Sequence, residues 1–401
     1  MIHANQLLRS YRTDAPRTLA DLHEALSRGR EGKPGGVRPA DFSFRDLAAA
    51  FIVDDHGESI GLANLERLCR GQLLEASGAL TPSMFATITG QIVNVAFMEG
   101  YTLPEFVLSS AVPTISGNAT QARITGVSLP LKENKVLEIN PGQEYPAVGM
   151  YEEYVKTPET VKRGAILPIT KECILQDAGS QILDQARGVG ELIGKEKELA
   201  LTDTVIGAVA SCVTEKRKGD AAEVAANLFY ASGDGGRWIN KQVNAFADWT
   251  DVDVAEELFL GITMPGTGEV PSLTQRTLLT PPQLRSSVSR VISATETRSG
   301  ATNVVVAGNP VGSLGIRTLS SAWVYSRLVA SGVAAATAAA TWFYGDLARA
   351  FRYYQNWGLT PEEDRSGTMA FTHDIIVQFK ASEKGTPVVV EPRLWSQQTP
   401  S

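Results

Sequence analysis

The chain has 401 residues, 43% of them hydrophobic and 20% charged, which is ordinary for a folded soluble protein and enough for two or more domains. Its 37 Lys+Arg against 44 Asp+Glu give a net charge of −7, so no overall electrostatic drive to grip nucleic acid exists, although such a chain can still enclose it. Three distant cysteines, Cys69, Cys173 and Cys212, make neither a disulfide framework nor a zinc spacing and fit a reducing compartment.

The opening "MIHANQLLRSYRTDAPRTLADL" lacks the apolar core of a signal peptide. In the first 80 or so residues, "RTLADLHEALSRG" is a helix closed by Gly29, and "REGKPGGVRP" is a breaker-rich loop. "FSFRDLAAAF" and "GLANLERLCRGQLLEA" are two further short helices. "TPSMFATITGQIVNVAFMEGY" is a more apolar helix starting after Thr81-Pro82. About 50 residues follow, with short β-like runs at Val136–Ile139, Tyr151–Val155 and Ala165–Ile169 and few residues to make a core. An isolated pair of strands is marginal in water, so this segment leans on another part of the chain or on another chain.

A long helix then runs from Ser180 to about Ile206, with Gly179 as a kink after the short turn "TKECILQD". Ile182, Leu183, Ala186, Val189, Leu192, Ile193, Leu199 and Ala200 recur at helical spacing. Gly188, Gly190 and Gly194 each cost about 1 kcal/mol relative to alanine in an exposed helix, so another backbone is expected to approach there. Next, "KRKGDAAEVAANLFYASGDGGRWINKQ" reads as strand fragments and a flexible loop. "DWTDVDVAEELFLGI" is a helix capped by Thr250, with Asp251 and Asp253 in its first turn. "RTLLTPPQLRSSVSRVI" is a buried strand, then Thr280 as cap, Pro281 at the first helical position and Gln283 completing a capping box. Near the end Ile375, Val377 and Phe379 alternate, and Lys384-Gly385 turns the chain into "PVVV". The class is α+β with segregated elements and no internal repeat.

None of the candidate constellations reads as an enzyme. "GVGELIG" (Gly188, Gly190, Gly194) has one residue too many for a phosphate cradle and sits inside a helix, where packing accounts for it. "SGDGG" at 232–236 has no helix start behind it. Asp251, Asp253, Glu256 and Glu257 lack the glycine and distal glutamate of a calcium loop. His3, His23, His56 and His373 are scattered, and "VGSLG" has Val311 where a nucleophile elbow needs glycine. Cys173 reads as packed rather than reactive. The cations of "YVKTPETVKRG" fit either a solvated face or one side of a charge-complementary contact between chains.

"GQEYPAVGMYEEYVKTPETVKRGAILPITKECILQDAGSQIL", "DWTDVDVAEELF", "RTLLTPPQLRSSVSRVISATETR", "TWFYGDLARAFRYYQNW" and "DIIVQFKASEKGTPVVVEPR" together resemble the major capsid proteins of tailed bacteriophages. The resemblance covers roughly Thr81 to Arg393. It implies the Hong Kong 97-type fold, with an N-terminal arm and extension (1–120), an extended β-hairpin loop (121–170) and a peripheral domain with a spine helix (171–248). A mostly axial domain (249–350) and return strands (351–401) would complete the chain. It also implies a structural, non-enzymatic subunit that forms hexamers and pentamers of an icosahedral head enclosing double-stranded DNA without reading its sequence. No cofactor, metal or membrane is implied. Scaffold, portal and decoration proteins would be partners, and the virion, assembled in the host cytoplasm, the location. Glu152, Glu153, Tyr154, Lys156, Lys162 and Arg163 would then lie at contacts between subunits. The alternatives are an encapsulin-type compartment holding an enzyme, a portal or tail protein, and a stand-alone α+β enzyme.

Overall fold

The computed structural model describes residues 14–30, 32–38, 82–125, 153–170, 181–217, 220–265, 268–299, 305–364 and 375–400, with Pro141 and Cys173 besides. The helices expected in 41–76, the β-run Val136–Ile139 and the Gly179 kink lie outside them. The chain divides into two compact units: Met1–Pro104, Lys162–Glu196 and Trp357–Lys384 form the first, and Glu105–Val161, Lys197–Asn356 and Gly385–Ser401 the second.

In the first unit, Ala15–Arg30 is helical, and Leu22 and Leu26, one turn apart, are buried. Gly29 does not end this helix. A methyl group there would overlap the Val37 carbonyl, so the glycine lets the following loop fold back against the helix. The Pro82–Tyr101 helix starts at its proline, as expected, and buries Ile92, Val93, Ala96 and Phe97. The long helix is Gln181–Val205, 25 residues, or about 37 Å at 1.5 Å per residue.

The glycines of these two helices answer one another. A methyl group on Gly190 would overlap the Phe97 carbonyl, and one on Gly100 would overlap the Arg187 carbonyl. The two backbones therefore meet with no side chain between them, as the glycine spacing of the long helix suggested. Gly188 takes no part, since nothing lies within 4 Å of where its methyl would be. Beyond the helices, Val161–Thr170 lies beside Ile375–Val389 in a sheet, where Gly164 admits the Ala381 carbonyl. Tyr101 donates to the buried carboxylate of Glu383 at 2.6 Å.

Expectation and structure part at Lys384-Gly385, because Ile375–Val389 is one unbroken strand. Gly385 is needed for space rather than for a turn: in the second unit the Tyr353 ring comes within 2.7 Å of where a methyl carbon on this glycine would sit.

The second unit holds a five-stranded sheet in the order Arg317–Ser320, Thr277–Thr280, Trp342–Gly345, Trp395–Thr399, Lys241–Val243. Phe343 stands opposite Leu279 on one side and Gln397 on the other, so "WFYG" is a central strand, and all four of its residues are buried. The Phe343 and Trp395 rings are parallel with centroids 6.3 Å apart, and Phe351 meets Trp395 edge-on at 5.9 Å. The buried indoles are hydrogen-bonded: Trp342 donates to the Asn244 carbonyl at 2.9 Å and Trp395 to the Val205 carbonyl at 3.1 Å. A second, antiparallel sheet has the order Arg123–Thr125, Tyr154–Lys156, Val213–Lys216, Val224–Ala226.

Two helix starts differ from expectation. Trp249–Leu260 is capped by Asp248, which accepts from Thr250 N–H, while Asp251 accepts from Asp248 N–H at 2.8 Å. Thr250 thus stands inside the capping box rather than at its head. After Thr277–Thr280, Pro281 precedes a 3-10 turn at Pro282–Leu284, and the α-helix Arg285–Ser293 follows without a side-chain cap. Pro282 keeps Pro281 extended, at ψ 159°, so the chain is not yet helical where a Thr280–Gln283 box needs its first turn. No helix among the described residues is long and apolar enough to cross a membrane.

Candidate functional site

The residues named from sequence fall into three settings. Glu152 lies outside the described residues. Glu153, Tyr154 and Lys156 belong to the second unit, and Lys162 and Arg163 to the first.

Glu153 is 4% exposed and enters a buried ionic cluster. Strand alternation puts Glu215 and Arg217 on one face, and the Arg217 Nε donates to Glu215 at 2.8 Å. Arg217 Nη2 donates to Glu391 at 2.9 Å, and its Nη1 stands 3.8 Å from Glu153. Arg393 donates to Glu391 at 2.8 Å and to Glu215 at 3.1 Å, with its guanidinium 4.7 Å above the Trp238 ring. Three carboxylates thus face two fully enclosed guanidiniums, and the part-exposed Arg237 adds a third cation 3.4 Å from Glu215. Burial alone would push the Glu215 carboxyl up, but Arg393 and Arg217 hold it below the usual carboxylate range. A carboxylate so held is a lock, the reverse of a group poised to donate a proton.

Tyr154 and Lys156, on the same strand, belong to a more open cluster around Glu223. Tyr154 donates to Glu223 at 3.0 Å and Lys156 at 3.1 Å, and Arg123 lies 4.5 Å over the Tyr154 ring. These hydrogen bonds, Lys156 first, keep the Glu223 carboxyl low. In the first unit, the exposed Lys162 stands 5.9 Å from the centre of the Trp357 ring, and Lys384 stands 5.6 Å from it. Apolar side chains on that strand also face solvent, with Val161 50% and Ile166 57% exposed.

The sequence did not point to Arg217, Glu215, Glu391 or Arg393. They stand in the E-x-R pairs of "TEKR" and "VVVEPRLW", and charged surface segments carry such pairs as readily.

The remaining candidates have structural explanations. Asp251 serves the helix start, and Glu256 is paired with Arg276 at 2.6 Å. No group of three or more His, Cys, Asp or Glu among the described residues could hold a metal ion. Within "SGDGG", Asp234 accepts from Ala231 N–H at 2.8 Å and Gly236 lies against Tyr230. Cys173 is exposed rather than packed. Burial pushes the Cys212 thiol up to about 11, away from nucleophilic use. Glu198 is fully buried and accepts from the backbone N–H of Leu108 at 2.8 Å and of Ser109 at 2.7 Å. Burial nevertheless raises its carboxyl.

Residues 153–393 match the family described as phage capsid protein. The chain belongs to that family. This capsid protein is therefore a structural subunit of a virion shell made of many copies, with the α+β phage-capsid fold that the sequence led us to expect. Comparison with curated proteins gives no significant match. Among solved structures, the capsid of a native GTA particle is 12% identical, covering 75% of this chain and 91% of that one at a TM-score of 0.43. Mycobacterium phage Cain is 16% identical over 86% and 99%, at 0.43. A virus-like particle from Pyrococcus furiosus is 10% identical over 76% and 97%, at 0.39.

Proposed function

We propose that this capsid protein builds an icosahedral head from hexamers and pentamers, in the host cytoplasm, around double-stranded DNA that it does not read, and that it catalyses no reaction. Residues 121–170 act as an extended loop over a neighbouring subunit. Residues 171–248 and 351–401 act as a peripheral domain, 249–350 as a mostly axial one, and 1–120 as an arm and extension. Scaffold, portal and decoration proteins are its partners. Lys156, Lys162 and Arg163, with Glu152, form the charge-complementary contact. Glu153 and Tyr154 serve it from within, by anchoring the root of the loop.

The observation that carries this reading is the contrast along residues 153–166. One end is locked into a buried ionic cluster, while Val161 and Ile166 present apolar surface to solvent. Surface of that kind gains from a second chain, and many weak contacts close a shell cooperatively.

The test is deletion of residues 134–150, bridged by a short Gly-Ser linker. A deletion running on to Val155 would also remove Glu153 and Tyr154, and so the fold of the second unit. The shortened subunit is expected to keep the wild-type circular dichroism and melting profile while electron microscopy finds no rings or shells. Closed shells from this variant would sink the loop assignment.

A further inference from the structure

Within the second unit an open cleft of about 600 Å³ lies between the Arg285–Ser293 helix and the Arg317–Ser320 strand. That strand is the edge of the five-stranded sheet, and among the described residues no strand pairs with its outer side. Its inner side is spent on a parallel ladder: Arg317 N–H donates to the Arg276 carbonyl at 2.8 Å and Ser321 N–H to the Thr280 carbonyl at 3.2 Å. In a parallel ladder only alternate residues bond to a given neighbour, so the backbone N–H and C=O of Thr318 and Ser320 point outward. Both residues line the cleft.

The apolar lining comes from Val107, Val288, Ile292 and Leu319, and the charge comes from Arg285. Arg285 is exposed, and among the described residues it has no carboxylate partner. A strand edge, an apolar trough and one unspent guanidinium along a helix are the parts needed to hold an extended peptide by strand addition. The free backbone groups give affinity without sequence, the trough selects an aliphatic side chain, and the guanidinium selects a carboxylate.

We propose that this cleft binds an extended segment of a separate partner polypeptide, which adds as a strand beside Arg317–Ser320, seats an aliphatic side chain against Val288, Ile292 and Leu319, and presents an Asp or Glu to Arg285.

The test uses the full chain, as free subunits and as shells, panned against a displayed library of random heptapeptides. The expected consensus pairs one Asp or Glu with a nearby aliphatic residue. A synthetic consensus peptide should bind about tenfold more weakly to Arg285→Gln, whose exposed position leaves folding untouched. Methylating the peptide's backbone amides should weaken it at least as much, while hydrogen exchange slows at Thr318 and Ser320 on binding. A library without an acidic consensus, or equal binding to Arg285→Gln, would overturn the proposal. So would loss of peptide binding whenever free subunits assemble, because a second copy of this chain would then be the occupant.

Discussion

The two units are held together by different means. In the first, two helices meet backbone to backbone at Gly100 and Gly190, and this contact is ordered by steric fit. In the second, the centre of the sheet is aromatic, and Arg217 and Arg393 are enclosed with Glu153, Glu215 and Glu391. Steric matching tolerates no added atom, whereas an enclosed ionic cluster tolerates no removed charge. The sensitivity of each unit to substitution should therefore have opposite sign with respect to size.

The largest effect is expected from Arg217→Ala, which leaves Arg393 as the one enclosed guanidinium for three buried carboxylates. A loss of about 3–5 kcal/mol should appear as a lower denaturant midpoint, while replacement of the whole cluster by apolar residues should cost much less. Next comes Gly190→Ala, whose methyl group would meet the Phe97 carbonyl; overpacking of this kind costs about 1–3 kcal/mol in the same assay. Gly188→Ala, two residues away in open space, should instead stabilise by up to about 1 kcal/mol, so this pair isolates the crossing from helix propensity. The smallest effect belongs to Glu223→Gln, where the solvated cluster should leave the melting temperature within error of wild type.

Acid sharpens the comparison further. The Glu215 carboxyl lies below its ordinary value of 4.5, so its contribution is complete above that pH and is lost as the pH falls through the lower folded value. Glu198 is shifted upward, so its ionisation weighs against the fold, and mild acidification from neutrality relieves that weight. Denaturant midpoints between pH 7 and pH 3 should show the relief in wild type and lose it in Glu198→Gln, with the acid loss below 4.5 common to both. An unchanged upper limb in Glu198→Gln would refute the assignment to that carboxyl.

What could be read from sequence followed a local rule. Pro82 as a helix start, the span of the long helix to within a residue at each end and a backbone approaching Gly190 all follow from spacing along one segment. The Asp248 cap was missed because Thr250 satisfies the same preference two residues later. The Lys384-Gly385 turn was misread because a glycine that makes room for the Tyr353 ring has the same sequence signature as one that bends the chain. The ionic cluster was out of reach: Glu153, Arg217 and Arg393 come together only when distant strands pair, and nothing local distinguishes them from surface charges. Of the contact residues, Lys162 is exposed, Lys156 and Arg163 are half-buried, and Glu153 and Tyr154 turn inward.

The Gly100–Gly190 crossing has a mechanical consequence. Side chains at an ordinary helix contact can change rotamer and so let the joint creep under sustained load, but here no rotamer exists to change. Tension on a loaded shell would have to stretch peptide geometry or part the two helices outright. Such a joint should hold without creep and give way by parting, because two hydrogen atoms stand where two side chains would.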